Sequence, residues 1–437
     1  MKIVVLGAGF GGLEATLRLE RRFRKRTDVE ITLVNDQNFF LFYPLLPQIV
    51  SSFVEPRHIV QTIRDIREDR QFNFIRDRVI KIDPEKKLIT LSEIELSYDY
   101  LIVALGSTTN FFNVPGAEEH CFTFKSLEDA VLLRDHIIDL CEHADHEPDP
   151  AVRREMLTFI VVGGGYTGIE LVAEIQDFIY SYAVKRYRGI TLPDAKLIVL
   201  EATEKILTGI DAELGQRARR KLRSEGVEIK TNAQVTRCFD GGLEINKKDI
   251  IKARVIIWAA GVRANSLLEQ LPVRKDRLGR LVVNEHLQLT EFPTIFAIGD
   301  NAVVETAPPG KSPPIAPLAI KQGEMAARNI IHAIENEALE KFSFEPSGYL
   351  VSLGMNDAVI DIKGFQFKGY FAWLLWNAVH LFKLVGFKKQ VQVALDWWFG
   401  TLFPRDSAII RRPERCAICH KQAVQPQPLS QIARQKT

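Results

Sequence analysis

Residues 160–170 read "IVVGGGYTGIE", and a similar pattern has already occurred as "VVLGAGFGG" over residues 4–12. Each copy is an apolar, β-branched run, then glycines at fixed spacing, then a stretch with helical periodicity. In the first copy Gly7 permits a tight turn, Gly9 lets the backbone approach a pyrophosphate, and Gly12 lets helix and strand pack closely. Phe10 and Gly11 open the helix, whose N-terminus faces the phosphate charge. A dinucleotide unit also needs a second strand, about 20 residues on, ending in a group for the ribose hydroxyls. "VEITLVNDQNFF" (29–40) supplies that strand, with Asn35 at its end and the acid, Asp36, one place late.

The second copy sets Gly163, Gly165 and Gly168 at the same spacing, and "KLIVLEA" (196–202) ends on Glu201. A carboxylate there accepts hydrogen bonds from both hydroxyls of an adenosine ribose and repels a 2′-phosphate, which favours NADH over NADPH. Two fingerprints predict two dinucleotides bound at once, and the useful chemistry between them is hydride transfer from a nicotinamide to a flavin. FAD is expected at the first site and NADH at the second. "YDYLIVALGS" (98–107) and "ARVIIWAAGV" (253–262) are buried strands that end at Gly106 and Gly261, where the backbone can pass close to a cofactor. "FPTIFAIGDNA" (292–302) ends at Gly299–Asp300, placing a carboxylate for the flavin's ribityl hydroxyls. The expected fold is α/β, with two Rossmann-like dinucleotide-binding domains.

Composition narrows the class. With 437 residues, 46% hydrophobic and 26% charged, the chain is long enough for two or three globular domains. A net charge of +2 with dispersed Lys and Arg gives no reason to expect nucleic acid. Five scattered Cys make no disulfide framework, the start has no signal-peptide pattern, and a cytosolic chain is expected. No metal site is expected. "CAICH" at Cys416–Cys419–His420 has haem-attachment spacing but no export signal to go with it, and is read as chance or a labile thiol pair.

Together these stretches resemble the two-dinucleotide-binding flavoproteins, and among them most closely the type II NADH dehydrogenases, single-chain NADH:quinone oxidoreductases. The resemblance rests on "NFFLFYPLLPQIV" (38–50), "KSLEDAVLLRDHI" (125–137), "FIVVGGGYTGIELVAEI" (159–175), "FPTIFAIGD" (292–300) and "FAWLLWNAVHLFKLVGFKKQVQVALDWWFG" (371–400). It implies FAD on Gly7, Gly9, Gly12, Asn35 and Asp300, and NADH on Gly163, Gly165, Gly168 and Glu201. It also implies Glu170 beside the nicotinamide and flavin rings. Relatives usually carry a helix that begins Ala-Gln and has a further Gln five residues after the first, against the flavin and the quinone. In "IAPLAIKQGEMAARNI" (315–330) Ala316, Ala319 and Gln322 fit that pattern, but Pro317 replaces the first Gln and Lys321 precedes the second. A proline near a helix start costs little, so the helix is expected to form with Gln322 at the acceptor. An unusual naphthoquinone or another acceptor stays open, as does an NADH-sensing flavoprotein without turnover. A sulfide:quinone oxidoreductase needs a redox cysteine pair at the flavin, and neither Cys121 nor Cys238 has an evident partner there.

The expected domains are 1–115 and 286–345 for a split FAD domain, 116–285 for the NADH domain with a helical connector, 346–410 for a C-terminal amphipathic region, and 411–437 as a disordered tail. Residues 370–403 hold Trp373, Trp376, Trp397 and Trp398 among Leu, Val and Phe, interleaved with Lys. Their spacing predicts two amphipathic helices, and Trp with Lys is the composition of an interfacial anchor. No run of about 18 apolar residues supports a spanning helix. The chain is expected to sit peripherally, as a monotopic protein on the cytoplasmic side of a membrane, without proton pumping. Burial of these helices on the domain or in a homodimer is the alternative.

Overall fold

The computed structural model describes residues 1–305 and 313–409. The first apolar run forms the central strand, Lys2–Leu6, of a five-stranded sheet. Its neighbours run in the order Ile295–Ala297, Tyr100–Val103, Lys2–Leu6, Glu30–Asn35, Asn73–Arg76, and every pairing is parallel. Ile3, Val5 and Leu6 are wholly buried, as parallel strands covered on both faces require. A second five-stranded parallel sheet is ordered Phe122–Thr123, Val255–Trp258, Thr158–Val162, Lys196–Leu200, Val227–Lys230. In both, strand order reverses beside the fingerprint strand, which opens a crevice at the carboxyl ends of the strands. Ser107–Thr109 pairs antiparallel with Val262–Ala264 and joins the two units.

The connector helix Leu127–His146 starts at a capping box: Ser126 accepts from the Asp129 N–H, and the Asp129 carboxylate takes the Ser126 N–H in return. The helix Ala316–Glu335 forms with Pro317 in its first turn. It packs on the helix Phe10–Phe23 where glycines leave room: a Cβ on Gly323 would stand 2.2 Å from the Gly11 carbonyl oxygen.

After residue 347 comes an antiparallel meander, Gly348–Ser352, Ala358–Ile362 and Phe365–Lys368, then the helices Tyr370–Lys383 and Phe387–Leu402. The pair docks on residues 46–58. Trp397 donates its indole N–H to Gln48 Oε1 at 2.8 Å, His58 Nδ1 meets Asp396 Oδ2 at 2.6 Å, and Arg405 reaches the Ser51 carbonyl at 3.2 Å. Here the expected tryptophan anchor is corrected. Trp373, Trp376 and Trp397 are 7%, 1% and 8% exposed, so they hold the helices to the protein, and only Trp398 faces outward. The outer face is phenylalanine-rich: Phe371, Phe382 and Phe387 are each about four-fifths exposed. No helix among the described residues is long and apolar enough to cross a membrane. Cys416, Cys419 and His420, and the tail 411–437, lie outside the described residues.

Candidate active site

The two fingerprints adopt matching geometry. Gly7 and Gly163 have φ of +100° and +111°, which a side chain would strain. A Cβ on Gly12 or Gly168 would fall 1.9 or 2.0 Å from the carbonyl oxygen of Gly7 or Gly163. Helix and strand are thus in backbone contact in both copies. Gly9 and Gly165 have nothing within 4 Å of such a Cβ. Each therefore leaves an open cradle at a helix N-terminus, which fits a pyrophosphate.

The strand-end groups also correspond. Asn35 Oδ1 accepts from the Ala8 N–H at 2.9 Å, and Glu201 Oε2 accepts from the Gly164 N–H at 2.8 Å. Asn35 spends its other end on the Gln37 carbonyl, so the exposed Asp36, one residue on, supplies the carboxylate at the rim. Glu201 is held further by the Thr203 N–H and hydroxyl, both at 2.8 Å from Oε1.

Between the sheets lies a cleft of 1690 Å³. Gly7, Gly9, Phe10, Gly11, Asn35, Asp36, Gly106 and Asp300 line it from the first unit, and Gly165, Glu170 and Gly261 from the second. Ala316, Ala319 and Lys321 line it from the returning helix. Gly12, Gly163 and Gly168 form the turn behind the wall, and Glu201 stands apart at its strand end. Phe10 is fixed edge-on against Phe40 and Phe42, with ring centroids 5.1 and 5.9 Å away. The Ser107 hydroxyl bonds Asp300 Oδ2 and accepts from Lys125 Nζ at 2.9 Å.

Gln322 is not where an acceptor ligand would stand. It is fully buried and absent from the cleft wall, and its Oε1 takes the Gly299 N–H at 2.7 Å. Its role here is to fix the Gly299–Asp300 turn, while its Nε2 has no protein partner. Lys321, at the rim of the cleft, is exposed and pairs with Glu324 at 3.0 Å.

Glu170 occupies the wall shared by the second fingerprint and the C-terminal sheet. Its Oε1 accepts the Ser352 N–H at 2.9 Å, and Trp376 Nε1 lies beside it without completing a hydrogen bond. One and two turns further along the same helical face come Glu174, bonded by the Ser51 hydroxyl, and Asp177, bonded by the Met355 N–H. Burial pushes Glu170 up to about 8 and Glu174 up to about 7, and raises Asp177 as well. Arg405 pulls the last two partway back. Opposite, His380 bonds the Trp376 carbonyl at 2.7 Å, and burial lowers it to about 4, so it is neutral at pH 7.

Residues 1–323 match the pyridine nucleotide-disulphide oxidoreductase family, and residues 347–406 match the NDH2 C-terminal domain. Type II NADH:quinone oxidoreductase Ndh of Mycobacterium tuberculosis is 32% identical over 413 residues, spanning 91% of this chain and 87% of that one. The chain belongs to the type II NADH:quinone oxidoreductase family. A probable NADH dehydrogenase of Dictyostelium discoideum is 28% identical over 93% of this chain and 90% of its own. The NDH2 structure from Plasmodium falciparum in complex with NADH shares the fold, with a TM-score of 0.86 at 22% identity, covering 93% of this chain and 99% of that one.

In this type II oxidoreductase, Ser51, Ser352, His380 and Arg405 were missed in the sequence because tertiary packing alone brings them to the wall. Glu174 and Asp177 did leave a signal: charges four and seven residues after Glu170, on one face of an otherwise apolar helix.

Proposed function

We propose that the chain oxidises NADH and reduces a membrane quinone by two electrons, with the cleft between the two sheets as the shared site. The observation that carries this reading is the placement of Glu170, on a wall built by the NADH fingerprint and by the C-terminal sheet that leads to the exposed phenylalanines. FAD, when bound, supplies the two-electron relay between donor and acceptor. The open cradle at Gly9 fits its phosphates, and the carboxylates of Asp36 and Asp300 fit its hydroxyl groups. Gly165 and Glu201 fit NADH. Glu170 orients the nicotinamide or holds a proton at its carboxyl, whose raised pKa keeps that proton in place at pH 7.

The domain reading is 1–115 with 286–345 for FAD, 116–285 for NADH, and 346–410 for membrane association. The protein is a peripheral membrane enzyme, with the cytoplasmic face as the proposed side. A homodimer through the same phenylalanine-rich face is the competing use of that surface. Pro317, standing where the first expected glutamine would be, is the reason to test a specialised naphthoquinone or another acceptor as the alternative reading.

Anaerobic stopped-flow mixing of flavin-loaded protein tests the reading. NADH is expected to bleach the flavin absorbance faster than NADPH, and one quinone class to restore it. Bleaching that no benzoquinone or naphthoquinone reverses would overturn the acceptor assignment.

A further inference from the structure

We propose that Cys121 and Cys238 are a reversible dithiol/disulfide site outside the catalytic cleft. The two sulfurs are 3.5 Å apart although 117 residues separate them in sequence, and the Cys121 S–H donates to Cys238 Sγ. The backbones are already in contact: the Cys238 N–H bonds the Pro115 carbonyl at 2.9 Å, and a Cβ on Gly116 would stand 2.1 Å from the Cys238 carbonyl oxygen. Reaching a bond length of about 2.05 Å takes a further approach of roughly 1.5 Å. Both side chains are buried, and Gly116, whose backbone meets that of Cys238, lines a cavity of 650 Å³ on the same side of the unit. Because Cys121 donates to it, Cys238 is the sulfur whose proton leaves more readily.

The step uses hydrogen peroxide as oxidant. The Cys238 sulfur attacks one peroxide oxygen, the O–O bond breaks, and a sulfenic acid and one water form. The Cys121 sulfur then attacks the sulfenic sulfur, the S–O bond breaks, and a second water leaves. Two thiols and one peroxide become one disulfide and two waters, and a dithiol reductant reverses it. The bond would staple the segment that crosses between the two sheet units to the hairpin strand Val235–Phe239. Neither cysteine lines the catalytic cleft, so the pair is not a relay to the flavin.

Full-length, flavin-loaded protein is treated with graded peroxide, alkylated after unfolding, digested without reductant and mapped by mass spectrometry. A peptide linking Cys121 to Cys238 is expected, reversed by dithiothreitol, with the equally buried Cys141 alkylated throughout. The oxidised form is expected to melt at least about 3 °C higher, with NADH:quinone turnover within about twofold of the reduced form. Cys238→Ser should abolish the linkage and the melting shift. Cys121→Ala serves as the second variant, and the wild-type map stands without either. Both thiols remaining alkylatable, separate sulfinic acids, or links to Cys416 or Cys419 in their place would each overturn the proposal.

Discussion

Ser352 gives its backbone N–H to the Glu170 carboxylate at 2.9 Å, so a strand of the C-terminal meander is bonded directly to the wall of the nucleotide cleft. The contact joins the segment that leads toward the membrane to the helix that begins at the NADH cradle.

Glu170→Gln keeps an oxygen for Ser352 and removes the ionisation. Its raised pKa of about 8 predicts that wild-type quinone reduction falls as the pH rises through that value. In the variant the rate should drop about tenfold or more and lose this limb of the pH profile. Wild-type rates in both half-reactions would remove Glu170 from the mechanism.

Glu174 supplies a prediction about stability. Burial raises its folded pKa to about 7, above its unfolded value, so the folded state holds the proton more tightly. That contribution is full below the unfolded pKa and is lost as the pH rises through 7. Glu174 should therefore account for about 1–3 kcal/mol of the wild-type holoenzyme's loss between roughly pH 5 and pH 8, and Glu174→Gln should lose less by about that amount. Thermal melts of both proteins across that range provide the check.

Glu201→Gln keeps an acceptor for the Gly164 N–H but removes the negative charge at the ribose end. The preference for NADH over NADPH, measured as the ratio of kcat/KM, should narrow by about tenfold, or ~1.4 kcal/mol. An unchanged ratio would place donor selection elsewhere.

The two kinds of aromatic residue in 370–403 should separate under mutation. Phe382→Ser with Phe387→Ser removes side chains that are 80% exposed, and should weaken sedimentation with phospholipid vesicles by about tenfold or more while the melting point stays put. Trp397→Phe removes the bond to Gln48 and should cost about 1 kcal/mol of stability, with vesicle binding retained in the folded fraction.

The fingerprints were legible because everything they need is local: a strand, a turn with positive φ at Gly7 or Gly163, and a helix packed through Gly12 or Gly168. Glu170 was legible through the resemblance, but its partner Ser352, 182 residues away, could not be. Gln322 shows the limit of spacing, which fixed its place on the helix but not what that face packs against, here the Gly299 N–H. The tryptophans misled for a related reason. An amphipathic pattern says that two faces differ, and large indoles suit either a core or an interface.

The edge strand Ile295–Ala297 completes the first sheet by pairing with Tyr100–Val103. During synthesis the first sheet must wait with one flank unpaired while roughly 190 more residues emerge, about 10–40 s of translation at common rates. The second sheet needs nothing beyond Val255–Trp258, so the inserted half can be complete while the half that encloses it is still open. An unpaired strand flank is a template for association with other chains, so throughout this interval on the ribosome the Tyr100–Val103 edge stays open to such pairing.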